Sequence, residues 1–113
     1  MSLMNAAEEV RFPVGDFVID PVVTDEKRRR WVAEMAQAPA NLRVALAGLS
    51  DDQLNTHYRE GGWTIRQVVH HLADAHINGF VRFKLALTED NPPIKTYEET
   101  LWADTIDGGE APV

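Results

Sequence analysis

Histidine is the residue type in this sequence that is best suited to metal binding, because cysteine is absent and imidazole is the commonest metal ligand in proteins. Three of the four histidines lie close together, at His70, His71 and His76. Two imidazoles on one helix share an ion when they are three or four residues apart. The spacings here are one, five and six residues, which place the side chains about 100 to 140° apart around a helix. No pair is therefore expected to chelate one ion from a single straight helix.

Three of the histidines, His57, His70 and His76, are each interpreted from the residues around them. His76 falls at the centre of an apolar helix face, where a neutral, hydrogen-bonded core residue is a commoner occurrence than a metal ligand. His70 lies on the flank of that face and is expected to be exposed or to support a neighbouring ligand. His57 follows a short helical segment and is expected in a loop.

His71 differs from the other histidines because it lies on a polar stripe. Gln67 precedes it by about one helical turn and Asn78 follows it by about two, so that the three side chains project from one face. A functional pocket and a solvated helix surface explain such a stripe equally well, and the periodicity leaves both interpretations open. The stripe also includes Asp74 and Arg82.

A long helix must position these groups. Thr64 with Gln67 three residues later has the form of a capping box, in which each residue satisfies a free amide of the other. No proline follows until Pro92, so the pattern predicts a helix over 65–87, about 34 Å long. Its second face is apolar and comprises Ile65, Val68, Val69, Leu72, Ala75, Gly79, Phe80, Phe83, Ala86 and Leu87.

The first part of the chain predicts an irregular arm and another long helix. Prolines interrupt helices in residues 1–23, so we interpret this segment as an arm and residues 24–113 as a helical domain. Thr24 is a good N-cap for the first long helix. Pro39 is expected to kink that helix or to split it near residues 37–38.

The last part of the chain predicts one short helix and a linker. Thr96 and Glu99 resemble a second capping box, which predicts a helix to about Asp104, and residues 107–113 are interpreted as a linker. No strand pattern is present, so the fold class is all-α. Two long helices leave apolar surface uncovered, because bundles normally need three or four. We expect either a truncated chain or a second chain that completes the bundle, and the latter predicts a homodimer.

Composition excludes several classes of function. The net charge of −7 disfavours nucleic acids and anionic membrane surfaces as partners, because both are negatively charged. The sequence has no apolar run of the length that a membrane span needs and no visible signal peptide. Together with the absence of cysteine, these features favour a cytoplasmic protein.

Several segments together resemble a known family. Residues 58–76 have the sequence YREGGWTIRQVVHHLADAH, and residues 82–90 continue it as RFKLALTED. These segments, the helix from Trp31 to Leu42 and the Pro13-Val14-Gly15 arm are similar to the DinB/YfiT-like family of metal-dependent hydrolases, and most similar to its YfiT branch.

The resemblance implies a fold and a metal site. Members of the family form a four-helix bundle, of which this chain would supply about the first two long helices. Their divalent ion, nickel or zinc, is held by three histidines. The histidine that precedes leucine after the Trp-Thr motif is one of them, and it corresponds to His71. The other two come from an H-x-x-x-H pair on a later helix, and this sequence does not contain that pair.

The resemblance also implies an activity. A family hydrolase uses metal-activated water to attack a small-molecule substrate. Some relatives are thiol S-transferases, in which the cation stabilises a thiolate instead, and the sequence does not distinguish the two. A third possibility belongs to another class: a non-catalytic helical association module that pairs through the apolar face of the helix over 65–87.

Overall fold

A computed structural model describes residues 10–113 and contains helices joined by turns and loops. Within that range there is no strand, and the β-type pairing is confined to an isolated bridge between His57 and Thr64. The all-α prediction is therefore confirmed, as are its two long helices. We number the helices in chain order: α1 Asp25–Leu46, α2 Asp51–Leu54, α3 Ile65–Thr88, α4 Glu99–Ala103 and α5 Ile106–Glu110.

The chain divides into two compact units, one ending at Ser50 and the other spanning Asp51–Val113. The predicted arm over residues 1–23 lies partly outside the described residues, and a domain boundary at residue 23 stays a prediction. Among residues 10–113, no helix is long and apolar enough to cross a membrane.

Helix α1 begins where the sequence predicts. The Thr24 hydroxyl accepts a hydrogen bond from the amide of Lys27 at 3.2 Å, which satisfies one of the free donors in the first turn. Pro39 lies inside the helix without splitting it, so the split near residues 37–38 is not present, and the alternative of a kink stays a prediction. Proline removes one helical hydrogen bond, but alanines surround this position and alanine has the highest helix propensity of any residue.

Helix α3 is the best-predicted element of the fold. The Thr64 hydroxyl accepts from the amide of Gln67 at 3.1 Å, and the Gln67 side chain accepts from the amide of Thr64 at 3.0 Å. This reciprocal pair is the capping box that the sequence predicts. The helix ends at Thr88, one residue beyond the predicted end.

The region after α3 differs from the prediction in two ways. Helix α4 is preceded by Glu98 as N-cap, without a side-chain capping bond, so the capping box predicted from Thr96 is wrong. Residues 106–110, most of which were expected to form a linker, form α5. Gly108 is buried in α5, and a Cβ atom there would lie 2.6 Å from the carbonyl oxygen of Ala103. Glycine thus allows close packing of α5 on α4, which a linker interpretation overlooks.

Candidate functional site on the polar face of α3

The polar stripe of α3 is partly covered in the second unit. Its five side chains are all half-buried, and the two short helices that follow α3 pack against this helix. The covering residues are α4, α5 and the segment before α4; we call residues 91–111 the covering segment. A fully solvated stripe, one of the two interpretations left open by the sequence, does not occur. The stripe consists of Gln67, His71, Asp74, Asn78 and Arg82.

Two members of the stripe bind the covering segment directly. The Gln67 side-chain amide donates to the carbonyl of Ala103 at 3.0 Å and to the carboxylate of Asp104 at 3.2 Å. Near the other end of the stripe, the Arg82 guanidinium donates to the carbonyl of Lys95 at 3.1 Å. These bonds fix the covering segment at two points along the helix.

Arg66 holds the far end of the covering segment. Its buried guanidinium donates to the carbonyl of Ala111 at 2.9 Å, the carboxylate of Asp51 at 2.8 Å and the side-chain oxygen of Asn55 at 3.0 Å. His70 also contacts the Ala111 carbonyl, with its Nε2 at 3.1 Å. His70 is therefore half-buried and bound to the backbone, a role that the sequence did not reveal.

The position of Arg66 in the sequence carries one signal of an ion pair. Arg66 lies in the first turn of α3, where the helix dipole disfavours a positive charge. A cation at that position needs an anionic partner, and Asp51 provides one. The bond to Ala111 spans 45 residues, and nothing in the local sequence predicts it.

His71 has the least satisfied polar group of the site. Its Nδ1 atom is buried and makes no hydrogen bond with any residue in 10–113. The ring packs against the indole of Trp63, with ring centroids 4.8 Å apart and planes inclined by 55°. A buried polar atom without a partner costs about 1–3 kcal/mol, so such an atom commonly marks the place of a water or an ion.

The other histidines make local contacts. His57 is exposed in a loop, as expected, with Nδ1 2.6 Å from the carbonyl of Gly62. His76 has Nδ1 2.6 Å from the carbonyl of Leu72 in its own helix. His76 is exposed, however, so its interpretation as a core residue is wrong. Large apolar side chains that follow it on the same face, Phe80, Phe83 and Leu87, are exposed as well.

The described residues do not assemble a complete metal site. Residues 10–113 contain no group of three or more histidine, cysteine or acidic side chains that could hold an ion together. His71 fits a metal as a single ligand, because it offers a ring nitrogen on a covered polar face. A catalytic zinc ion normally has three protein ligands, so two more donors are needed.

Comparison with known proteins places this geometry in a family. Residues 34–111 match the DinB superfamily. A protein of Geobacillus thermodenitrificans is 48% identical over 110 residues, which cover 97% of this chain and 62% of that protein. YfiT of Bacillus subtilis is 43% identical over 100 residues, covering 88% of this chain and 56% of YfiT. Both are named, provisionally, as metal-dependent hydrolases. The chain thus spans about three-fifths of the length of these relatives.

A solved structure supports the same assignment. It is described as that of YfiT from Bacillus subtilis, a probable metal-dependent hydrolase with an unusual four-helix bundle topology. The TM-score is 0.88 at 41% identity, and the match covers 92% of this chain and 59% of that one. The bundle fold implied by the resemblance is thereby confirmed. From its sequence, its fold and these relatives, the chain belongs to the DinB superfamily.

Proposed function

We propose that this chain is part of a metal-dependent hydrolase of the YfiT type and that His71 is one of its metal ligands. The observation that carries the proposal is the buried, unpartnered Nδ1 of His71 on the covered face of α3. Its relatives, which are named as metal-dependent hydrolases, support the reaction class. The remaining ligands come from outside residues 10–113.

The residues around His71 have separable roles in this proposal. Trp63 packs on the imidazole and limits the orientations that the ring can adopt. Gln67 does not orient His71, because its side chain is engaged by Thr64, Ala103 and Asp104. Asn78 donates to the carbonyl of Asp74 at 2.8 Å, which leaves its side-chain oxygen as an acceptor for a substrate.

The metal would supply what these residues lack. A bound divalent cation lowers the pKa of a coordinated water molecule and polarises a small-molecule substrate. We infer nickel or zinc from the resemblance to the family, and imidazole nitrogen is a suitable ligand for both. His71 would contribute one ring nitrogen to that ion, and its Nδ1 is buried and makes no hydrogen bond with any residue in 10–113.

We also infer a homodimer in the cytoplasm. The dimer is supported by large apolar side chains that are exposed on α3, among them Phe80, Phe83 and Leu87. Contiguous exposed apolar patches of this kind mark interaction surfaces in soluble proteins. A cytoplasmic location is in keeping with the absence of cysteine from the sequence.

The metal content of the protein purified from its complete reading frame tests the role of His71. His71→Ala should lose most of its bound metal, since one of three ligands is removed. His76→Ala is the matched control, because His76 is exposed on the same helix and contacts only its own helix. Equal metal content in the two variants, both with native circular dichroism, would reject His71 as a ligand.

A further inference from the structure

A second feature of the covered face is a groove with a volume of about 480 Å³. One wall contains Asn78 of α3, and the other is formed by residues 95–98 together with Leu101 and Trp102 of α4. Asn78 is seven residues beyond His71 on the same face, so the groove lies about 10 Å along the helix axis from His71. It is thus part of the covered face but distinct from the surroundings of the His71 ring.

The groove is held in shape by contacts at both ends. Arg82 binds the carbonyl of Lys95 at one end, and Gln67 binds the carbonyl of Ala103 beyond the other. Between them, the rings of Tyr97 and Trp102 pack with centroids 4.6 Å apart. A ligand that enters a preformed groove loses less free energy to ordering the protein than one that must shape its own site.

The walls of the groove present apolar surface to a ligand. Trp102 is 41% exposed and Leu101 is 66% exposed, so each has apolar area that a ligand can remove from water. Tyr97 is half-buried beside them and completes an aromatic wall. Aromatic faces attract cations through the ring quadrupole as well as apolar groups.

The charged side chains that line the groove are Glu98 and Lys95, and Asp74, Glu99 and Arg82 nearby add a net charge of −1. Glu98 lines it and makes no capping hydrogen bond with α4. Loss of hydration raises the pKa of the Tyr97 hydroxyl, and the carboxylates of Glu99 and Asp74 raise it further, while Arg82 lowers it less. The three carboxylates thus outnumber the two nearby cations, Arg82 and Lys95.

We propose that this groove binds a small organic ammonium ion with an apolar portion, which packs on Trp102 while the charged group approaches Glu98. The assignment of this ligand as the substrate rests on the proposed function, whereas its binding to the groove does not. Asn78 supplies a side-chain oxygen that can accept a hydrogen bond from the ammonium group.

Binding of phenethylammonium to the protein purified from its complete reading frame tests this proposal, with phenylacetate as a probe of similar shape and opposite charge. The indole N–H resonance of Trp102, assigned by comparison with Trp102→Leu, should shift and saturate with phenethylammonium. Phenylacetate should bind at least about fivefold more weakly, as expected when the sign of one ion pair is reversed. Equal binding of the two probes, or the absence of a saturating shift with either, would overturn the proposal.

A charge-neutralising variant locates the ammonium group. Glu98→Gln should weaken phenethylammonium binding about threefold to fivefold, because it removes the carboxylate and leaves no lost capping bond. Glu89→Gln is the control, since Glu89 is exposed at the end of α3 and does not line the groove. Equal weakening in both variants would contradict the proposed position of the charge.

The two proposals, ammonium binding in the groove and metal binding by His71, can fail independently of each other. Glu98→Gln should retain the metal content of the unmodified protein, because Glu98 is not a proposed ligand. Conversely, His71→Ala should still bind phenethylammonium. Full metal content in His71→Ala, with weakened ammonium binding in Glu98→Gln, would count against His71 alone. Loss of the metal in His71→Ala, with unchanged ammonium binding in Glu98→Gln, would count against the groove alone.

Discussion

The polar and apolar faces of α3 differ in burial, and the difference is the opposite of that found in most amphipathic helices. The polar stripe from Gln67 to Arg82 is half-buried under the covering segment, whereas the large side chains of the apolar face are exposed from Leu72 onward. A surface helix normally buries its apolar face and solvates the polar one. We therefore interpret residues 91–111 as the cover of the proposed site, and the exposed apolar side chains as a surface on which another helix of a bundle can pack.

Different forces act on the two faces. The covering segment is attached mainly by directed hydrogen bonds from Arg66, Gln67 and Arg82. The apolar face offers non-directional burial to any helix that packs on it. Removal of a single side chain should therefore lower the free energy of unfolding strongly on the covered face and weakly on the exposed face.

The largest effect is expected at Arg66. Arg66→Ala removes three charge-assisted hydrogen bonds, including the bond to Ala111, and should lower the free energy of unfolding by about 2–3 kcal/mol. Urea denaturation followed by circular dichroism measures this change. Lys84→Ala, a loss of positive charge at an exposed position of the same helix, should change stability by less than about 0.5 kcal/mol. Similar losses of free energy of unfolding in both variants would show that the hydrogen bonds of Arg66 to the covering segment do not contribute specially to stability.

A smaller effect is expected where α5 packs on α4. Gly108→Ala places a Cβ atom 2.6 Å from the backbone oxygen of Ala103 and should lower the free energy of unfolding by about 1–2 kcal/mol through overpacking. Gly109→Ala is the matched control, because a Cβ atom there meets nothing within 4 Å. Thermal unfolding compares the two alanine variants. A control as unstable as Gly108→Ala would show that helix flexibility, and not close packing, determines the loss.

The smallest effect on stability is expected on the apolar face. Phe83 is 64% exposed, so Phe83→Ser should change the free energy of unfolding by less than about 0.5 kcal/mol. The same substitution should reduce self-association in sedimentation velocity, because it removes apolar surface from the proposed interface. A large loss of stability without any change in association would indicate that this face is already packed within one chain.

Local patterns predicted α3 well because its signals lie within a few residues of each other. Thr64 and Gln67 define the start, and the absence of proline allows the helix to continue to Thr88. The start of α1 at Thr24 was predictable for the same reason. Both features depend on hydrogen bonds between residues three apart, which a sequence displays directly.

The features that the sequence did not predict depend on distant contacts. The two glycines in α5 are indistinguishable from a linker until Gly108 is placed against Ala103. The covering of the polar stripe depends on partners that are 36 to 45 residues from Gln67 and Arg66. The role of His71 was implied by family resemblance alone, because one imidazole has no local partner from which a site can be derived.

The side chain of Gln67 links the first turn of α3 to the covering segment. Its oxygen accepts from the amide that begins α3, while its nitrogen donates to Ala103 in the covering segment. Fraying of the first turn would therefore release the bond to Ala103, and release of the covering segment would weaken the first turn. We therefore expect opening of the first turn of α3 and release of the covering segment near Ala103 to be coupled through this one side chain.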